Sequence, residues 1–209
     1  PASNLKLLTG FGAIYMLGES YRFKTEVYTN GTVENGVLKG HVFLKGYGDP
    51  TLQTQDLLSI GHALKAQGIH TIEGHILGDD SYFSGPQLSP GVKPHEESEY
   101  YASRVSALSM TPNADYDAGT LILDVRPSAA GYKTLVYQQP GFSNLNIINN
   151  SVTTKKGTRN TISVKRKSGT NDVVISGQLP MGSSAKKWVT VADPTVTTLH
   201  FARSAFMQA

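Results

Sequence analysis

Pro1-Ala2-Ser3-Asn4-Leu5-Lys6-Leu7-Leu8-Thr9 opens the chain, and Leu5, Leu7, Leu8, Phe11, Ile14, Tyr15 and Leu17 recur at helical spacing behind it. A helix over residues 3–17 would stop at Gly18. Ser3 and Lys6 stand one turn apart, so the hydroxyl and the amine share one helix face. A serine hydroxyl is a weak nucleophile near neutrality and needs a base, which a lysine kept neutral by burial can be. The free N–H groups of a helix N-terminus favour negative charge developing nearby. The plainer alternative for Ser3 is an ordinary helix cap. Two further S-x-x-K matches, Ser183/Lys186 and Ser184/Lys187, fall in a polar stretch with no apolar helix behind them.

Working outward, Arg22 to Tyr28 alternate like a half-buried strand, and Asn30-Gly31 predicts a tight turn. Val37 to Lys45 predicts the next strand, Asp56 to Gln67 an amphipathic helix ending at Gly68, and Ile69 to Leu77 a strand closed by Asp79-Asp80. Residues 84–99 read as loop. Beyond Thr120, short strands are predicted over 120–126, 133–138, 144–152, 160–166, 172–178 and 187–192, an all-β texture. Asp193-Pro194 reads as an N-cap followed by proline at the first position of a helix over 195–208.

The 209 residues suffice for one large domain or two small ones, and 39% hydrophobic content with 21 glycines suits a globular, turn-rich chain. No apolar run approaches the roughly 20 residues of a membrane span. A motif at the first residues reads as the interior of a longer protein, whose signal peptide would lie outside this stretch. With no cysteine, disulfides and thiolate metal sites are excluded. His70 and His75 are predicted on opposite faces of one strand, and the other histidines have no ligand spacing, so no metal is expected. No cofactor motif is present, since Gly46-x-Gly48 lacks a third glycine and the helix register of a dinucleotide site.

The net charge of +3 is uneven. Residues 150–190 carry eight Lys and Arg against Asp172, a net of +7, and the remainder carries 11 against 15, a net of −4. Such a segment either guards strand edges or attracts a polyanion such as acidic wall polymer. It lacks the aromatics and motifs of a nucleic-acid binder.

Taken together, Pro1-Ala2-Ser3-x-x-Lys6-Leu7-Leu8-Thr9, Leu17-Gly18-x-x-Tyr21-Arg22-Phe23-Lys24-Thr25, Gly36-Val37-Leu38-Lys39-Gly40 and Gly48-Asp49-Pro50-Thr51-Leu52 are followed by Ile72-Glu73-Gly74-x-Ile76-x-Gly78-Asp79-Asp80-Ser81-x-Phe83 and Ser106-Ala107-Leu108-Ser109. In that order these blocks resemble the D-alanyl-D-alanine carboxypeptidase/endopeptidase family, the low-molecular-mass class C penicillin-binding proteins of DacB type. The resemblance implies an α+β fold. Residues 1–20 would be the S-x-x-K helix of a transpeptidase-like (serine β-lactamase-like) domain, 21–119 an inserted mixed α/β segment, 120–192 an inserted β-rich segment, and 193–209 a helix returning to the first domain.

The resemblance further implies that Ser3 is the acylated nucleophile and Lys6 takes its proton, directly or through a relay. It implies a peptidoglycan stem-peptide substrate, β-lactams as covalent inhibitors, and a periplasmic or extracellular location. Glu96 and Tyr101 fall nearest the family positions that bind the amino end of the stem-peptide side chain, with Glu97 a close competitor; the plainer alternative is a solvated acidic loop. The family's later motifs are missing. No S-x-N occurs, and Lys167-Ser168-Gly169 and Lys155-Lys156-Gly157 read as turns between strands. The expectation is a stretch that is inactive alone and part of an active parent. The alternative is a non-catalytic module that binds wall polymer or a partner.

Overall fold

A computed structural model describes residues 2–141 and 143–209. The opening run enters a 3-10 turn over Ala2–Asn4 and then α1 (Leu5–Leu17), which Gly18 ends at φ 80° with its N–H donating to the Ile14 carbonyl. Ser3 therefore sits in the 3-10 turn and is not the cap. Asn4 holds the N-cap position and makes no side-chain capping bond. No residue of α1 is buried, and Leu7, Phe11 and Tyr15 are 74%, 71% and 81% exposed.

The next strands form a bent ribbon. β1 (Thr25–Thr29) pairs antiparallel with β4 (Val42–Gly46), and β2 (Thr32–Glu34) pairs with β3 (Val37–Lys39). One register runs through both pairs, from Thr25 opposite Gly46 to Glu34 opposite Val37. The chain reverses at Asn35-Gly36, with φ of 50° and 82°, the positive pair that a two-residue hairpin turn needs. This corrects the predicted turn at Asn30-Gly31, which lies at the bend instead. It also divides the single strand predicted over 37–45 at Gly40-His41.

After α2 (Thr54–Ala66), the chain returns as β5 (Thr71–Glu73) and β6 (Ile76–Asp79), parallel to β3 and β4 and broken at the same level. The backbones nearly touch there. A Cβ on Gly40 would lie 2.0 Å from the Asn30 carbonyl oxygen, and one on Gly74 1.9 Å from that of Gly40. Only glycine fits such an approach. The break also undoes the reading of His70 and His75 as opposite-facing, since both line one groove. In α2, Asp56 accepts from the Gln53 N–H at 2.8 Å, and Leu57, Gly61 and Leu64 are buried.

The β-rich half holds β7 (Thr120–Arg126), β8 (Leu135–Gln139), β9 (Asn146–Asn149), β10 (Val152–Thr154), β11 (Ser163–Arg166), β12 (Asp172–Ser176), β13 (Gln178–Pro180) and β14 (Ala185–Thr190). They form sheets β14-β7-β8, β11-β12-β9 and β10-β13. The predicted strands over 144–152 and 172–178 each divide in two. Lys167 to Thr170 turns the chain between β11 and β12, with the Thr170 N–H donating to the Lys167 carbonyl at 3.1 Å. Finally α3 (Pro194–Gln208) is capped by Asp193, which accepts from the Val196 N–H at 2.9 Å.

One apolar core joins the two halves: Leu44, Leu57 and Leu108 cluster with Leu121, Leu123, Ile175, Leu179 and Phe201. α3 packs on α2 and β6, and the Thr195 hydroxyl donates to Asp80 at 2.7 Å. Asp79 closes β6 as expected, accepting from the Ser81 N–H at 3.0 Å. The architecture is α+β, and among the described residues no helix is long and apolar enough to cross a membrane.

Candidate active site

Ser3 and Lys6 straddle the junction of the 3-10 turn and α1, and both are exposed. The helix start carries no acidic side chain and no side-chain cap, so no fixed negative charge occupies the positive end of its dipole. Among the described residues, neither side chain makes a hydrogen bond or ion pair.

The loop before β7 carries the other candidates. Lys93-Pro94 leads into a 3-10 turn over Pro94–Glu96, and the Glu96 carboxylate accepts from the Lys93 N–H at 3.0 Å. A second 3-10 turn over Tyr100–Ala102 buries Ala102 and leaves Tyr101 60% exposed, edge-on to Tyr100 at 5.5 Å. Desolvation first, then the carboxylates of Glu96 and Glu99, push the Tyr101 phenol up. Glu96 and Tyr101 thus lie on successive 3-10 turns of one loop. Among the described residues, α1 shares no hydrogen bond, ion pair or ring contact with them.

Glu97 is engaged elsewhere. Its carboxylate is 12% exposed, lies 3.7 Å from Arg104 and 4.0 Å from Arg166, and accepts from the Ser168 hydroxyl at 3.0 Å. Facing inward, it anchors the loop.

A polar cluster that the sequence reading passed over surrounds Glu26. Its carboxylate accepts from Lys24 at 2.8 Å, from the Tyr28 hydroxyl at 2.6 Å and from the Tyr47 hydroxyl. Lys24 also lies 4.2 Å over the Tyr47 ring. Residues 24, 26 and 28 share one strand face, so the two-residue period was the available signal. Separately, a groove of about 810 Å³ lies between α2, α3 and the β5–β6 edge, floored by Leu64, Ile72, Leu199 and Phe206. None of Ser3, Lys6, Glu96 and Tyr101 lines it.

The profile of the D-Ala-D-Ala carboxypeptidase 3 (S13) family matches residues 1–209. A D-alanyl-D-alanine carboxypeptidase of Actinomadura sp. (strain R39) is 30% identical over 206 residues, 98% of this chain and 38% of that protein. The D-alanyl-D-alanine carboxypeptidase DacB of Haemophilus influenzae is 37% identical over 83 residues, 40% of this chain and 17% of that protein. The crystal structure of penicillin binding protein 4 (dacB) from H. influenzae shares the fold, with a TM-score of 0.79 at 20% identity over 100% of this chain and 45% of that one. The same protein complexed with a β-lactam gives a TM-score of 0.68 at 19% identity over 100% of this chain and 42% of that one. The chain therefore spans less than half the length of these relatives.

Proposed function

Because the chain belongs to the D-Ala-D-Ala carboxypeptidase 3 (S13) family, we propose that it is the nucleophile-bearing part of a serine D,D-peptidase acting on peptidoglycan outside the cytoplasm. The observation that carries this is Ser3-x-x-Lys6 at the start of α1, in a chain matched along its whole length by the family. Ser3 Oγ attacks the carbonyl carbon of the penultimate D-Ala while its proton passes to Lys6 Nζ. The tetrahedral intermediate collapses to a Ser3 ester, and the departing D-Ala amine takes the proton. Water then hydrolyses the ester. A D-Ala crosslink reacts in the same way, and a β-lactam leaves a stable acyl group on Ser3. Acid–base help of this kind is worth about 10²–10⁴-fold.

Residues 1–20 belong, in this reading, to the catalytic domain, with 21–119 and 120–192 inserted. α3 is the element through which 193–209 lead back. Glu96 and Tyr101 receive the free amine of the stem-peptide side chain. The exposed Lys6 and the lack of S-x-N support a further point: the 209 residues alone do not turn over substrate.

Intact-mass spectrometry after incubation with benzylpenicillin tests this, on the 209-residue chain and on the parent extended at both ends. The expected result is one penicilloyl adduct on the extended protein, lost in Ser3→Ala, and none on the short chain. A folded extended protein with no adduct would reject the acyl-enzyme, and an adduct or D-Ala release from the short chain would reject its inactivity. Glu96→Lys in the extended protein removes a charge-assisted contact worth about 1.5–3 kcal/mol. Its KM for a peptide with a free side-chain amine should rise tenfold or more while acylation by benzylpenicillin holds. Equal loss on both would reject the assignment.

A further inference from the structure

Arg166, the last residue of β11, crosses from the β-rich half into the back of the loop that carries Glu96 and Tyr101. Its side chain is 1% exposed, yet each of its nitrogens has a partner. Nε donates to the Thr190 carbonyl at 2.9 Å. Nη1 donates to the carbonyls of Lys167 at 3.2 Å and Thr170 at 3.0 Å. Nη2 donates to the Glu97 carbonyl at 3.1 Å and to the Thr190 hydroxyl at 3.3 Å. The Thr190 hydroxyl in turn donates to that same Glu97 carbonyl, and the Thr190 N–H reaches the Ser98 carbonyl at 3.4 Å.

The two peptide carbonyls immediately after Glu96 are thus fixed by the far half of the molecule. Burial pushes the Arg166 pKa down, and the Glu97 carboxylate opposes that shift. Two guanidiniums, of Arg166 and Arg104, face that single carboxylate. An apolar side chain of similar volume would leave the carbonyls of Glu97, Lys167, Thr170 and Thr190 short of a donor and the Glu97 carboxylate with one guanidinium fewer, which costs stability. It supplies no planar five-donor fork that fixes several carbonyls at once, and neither does lysine.

We infer that Arg166, together with Thr190, positions the 96–101 loop, so that the β-rich segment sets how well the site recognises the amine-bearing side chain of its substrate. This rests on the reading of Glu96 and Tyr101 as the amine subsite. Neither Arg166 nor Thr190 touches substrate; both act through the Glu97 and Ser98 carbonyls.

The test uses the extended protein with Arg166→Met, Arg166→Lys and Thr190→Val, and Glu96→Lys for reference. KM and kcat are measured for a stem peptide with a free side-chain amine and for the same peptide acetylated there, beside benzylpenicillin acylation and the melting midpoint. Arg166→Lys and Thr190→Val should raise KM for the free amine by about tenfold, well inside the roughly hundredfold that a 1 Å misplacement can cost. Values of kcat, penicillin acylation and KM for the acetylated peptide should stay within about twofold. Thr190→Val removes a single hydroxyl and carries the test if Arg166→Met does not fold.

An unchanged KM in folded Arg166→Lys and Thr190→Val, with Glu96→Lys impaired, would overturn the inference and leave the subsite standing. Loss of kcat, acylation and melting midpoint together would overturn it in favour of a purely structural role. If Glu96→Lys is silent on both peptides, the subsite reading fails, and the inference with it.

Discussion

Glu26 shows how three neighbours act on a single carboxylate. Its hydrogen bond from Lys24, then those from Tyr28 and Tyr47, hold it at about 2 against a usual 4.5, and the Tyr28 phenol is pushed up to about 12 by the same bond. A carboxylate depressed by folding stabilises the native state fully above its unfolded value, and that help is lost as pH falls through its folded value. The window is therefore pH 4.5 down to 2. The cluster is open to solvent, so the effect is modest. Glu26→Gln should lower the melting midpoint at pH 7 and flatten its fall between pH 4.5 and 2, followed by thermal melts across that range. A variant with the parent's acid slope would show that the cluster contributes nothing. As candidates, Ser3 and Lys6 were legible in motif spacing, and Glu96 and Tyr101 only through the family resemblance, because both signals are local. The Arg166–Glu97 contact was not, since 69 residues separate the partners.

At the scale of elements, the sequence was most legible where a signal is local and unique. Asp193-Pro194 marks the start of α3, and the short strand predicted over 120–126 matches β7 in its bounds. The bent ribbon was less so, for a physical reason. Asn-Gly occurs twice, five residues apart, and either pair has the chemistry of a two-residue turn. What selects Asn35-Gly36 is long-range register, which pairs Thr25 with Gly46 and carries both strands past the bend. The same bend explains why three predicted features, the turn at Asn30, the strand over 37–45 and the strand over 69–77, all required revision together. Three backbones meet at one level on Gly31, Gly40 and Gly74, and no window along a single strand contains that fact.

Across the whole molecule, burial is divided sharply. The two halves share a core that includes Leu44, Leu123, Ile175 and Phe201, whereas α1 leaves Leu5, Leu7, Leu8, Phe11, Ile14 and Leu17 more than half exposed. An apolar surface of this kind marks an interface, and in the reading proposed above it faces the rest of the catalytic domain. The energetic consequence can be measured on the chain itself. Because α1 buries nothing, its removal takes no apolar area out of the core and so no stabilisation scaled to that area. Deleting residues 1–18 should therefore shift the melting midpoint by no more than about 2 °C, under about 1 kcal/mol for a chain of this size. Fluorescence of a dye that binds exposed apolar surface should fall strongly at the same time. A drop of many degrees would mean that α1 packs on the β1–β6 ribbon or on α3 in solution, and the Ser3–Lys6 pair would then be sheltered by the inserted segments themselves. Retention of full dye binding with an unchanged midpoint would instead place the sticky surface in the groove between α2, α3 and the β5–β6 edge.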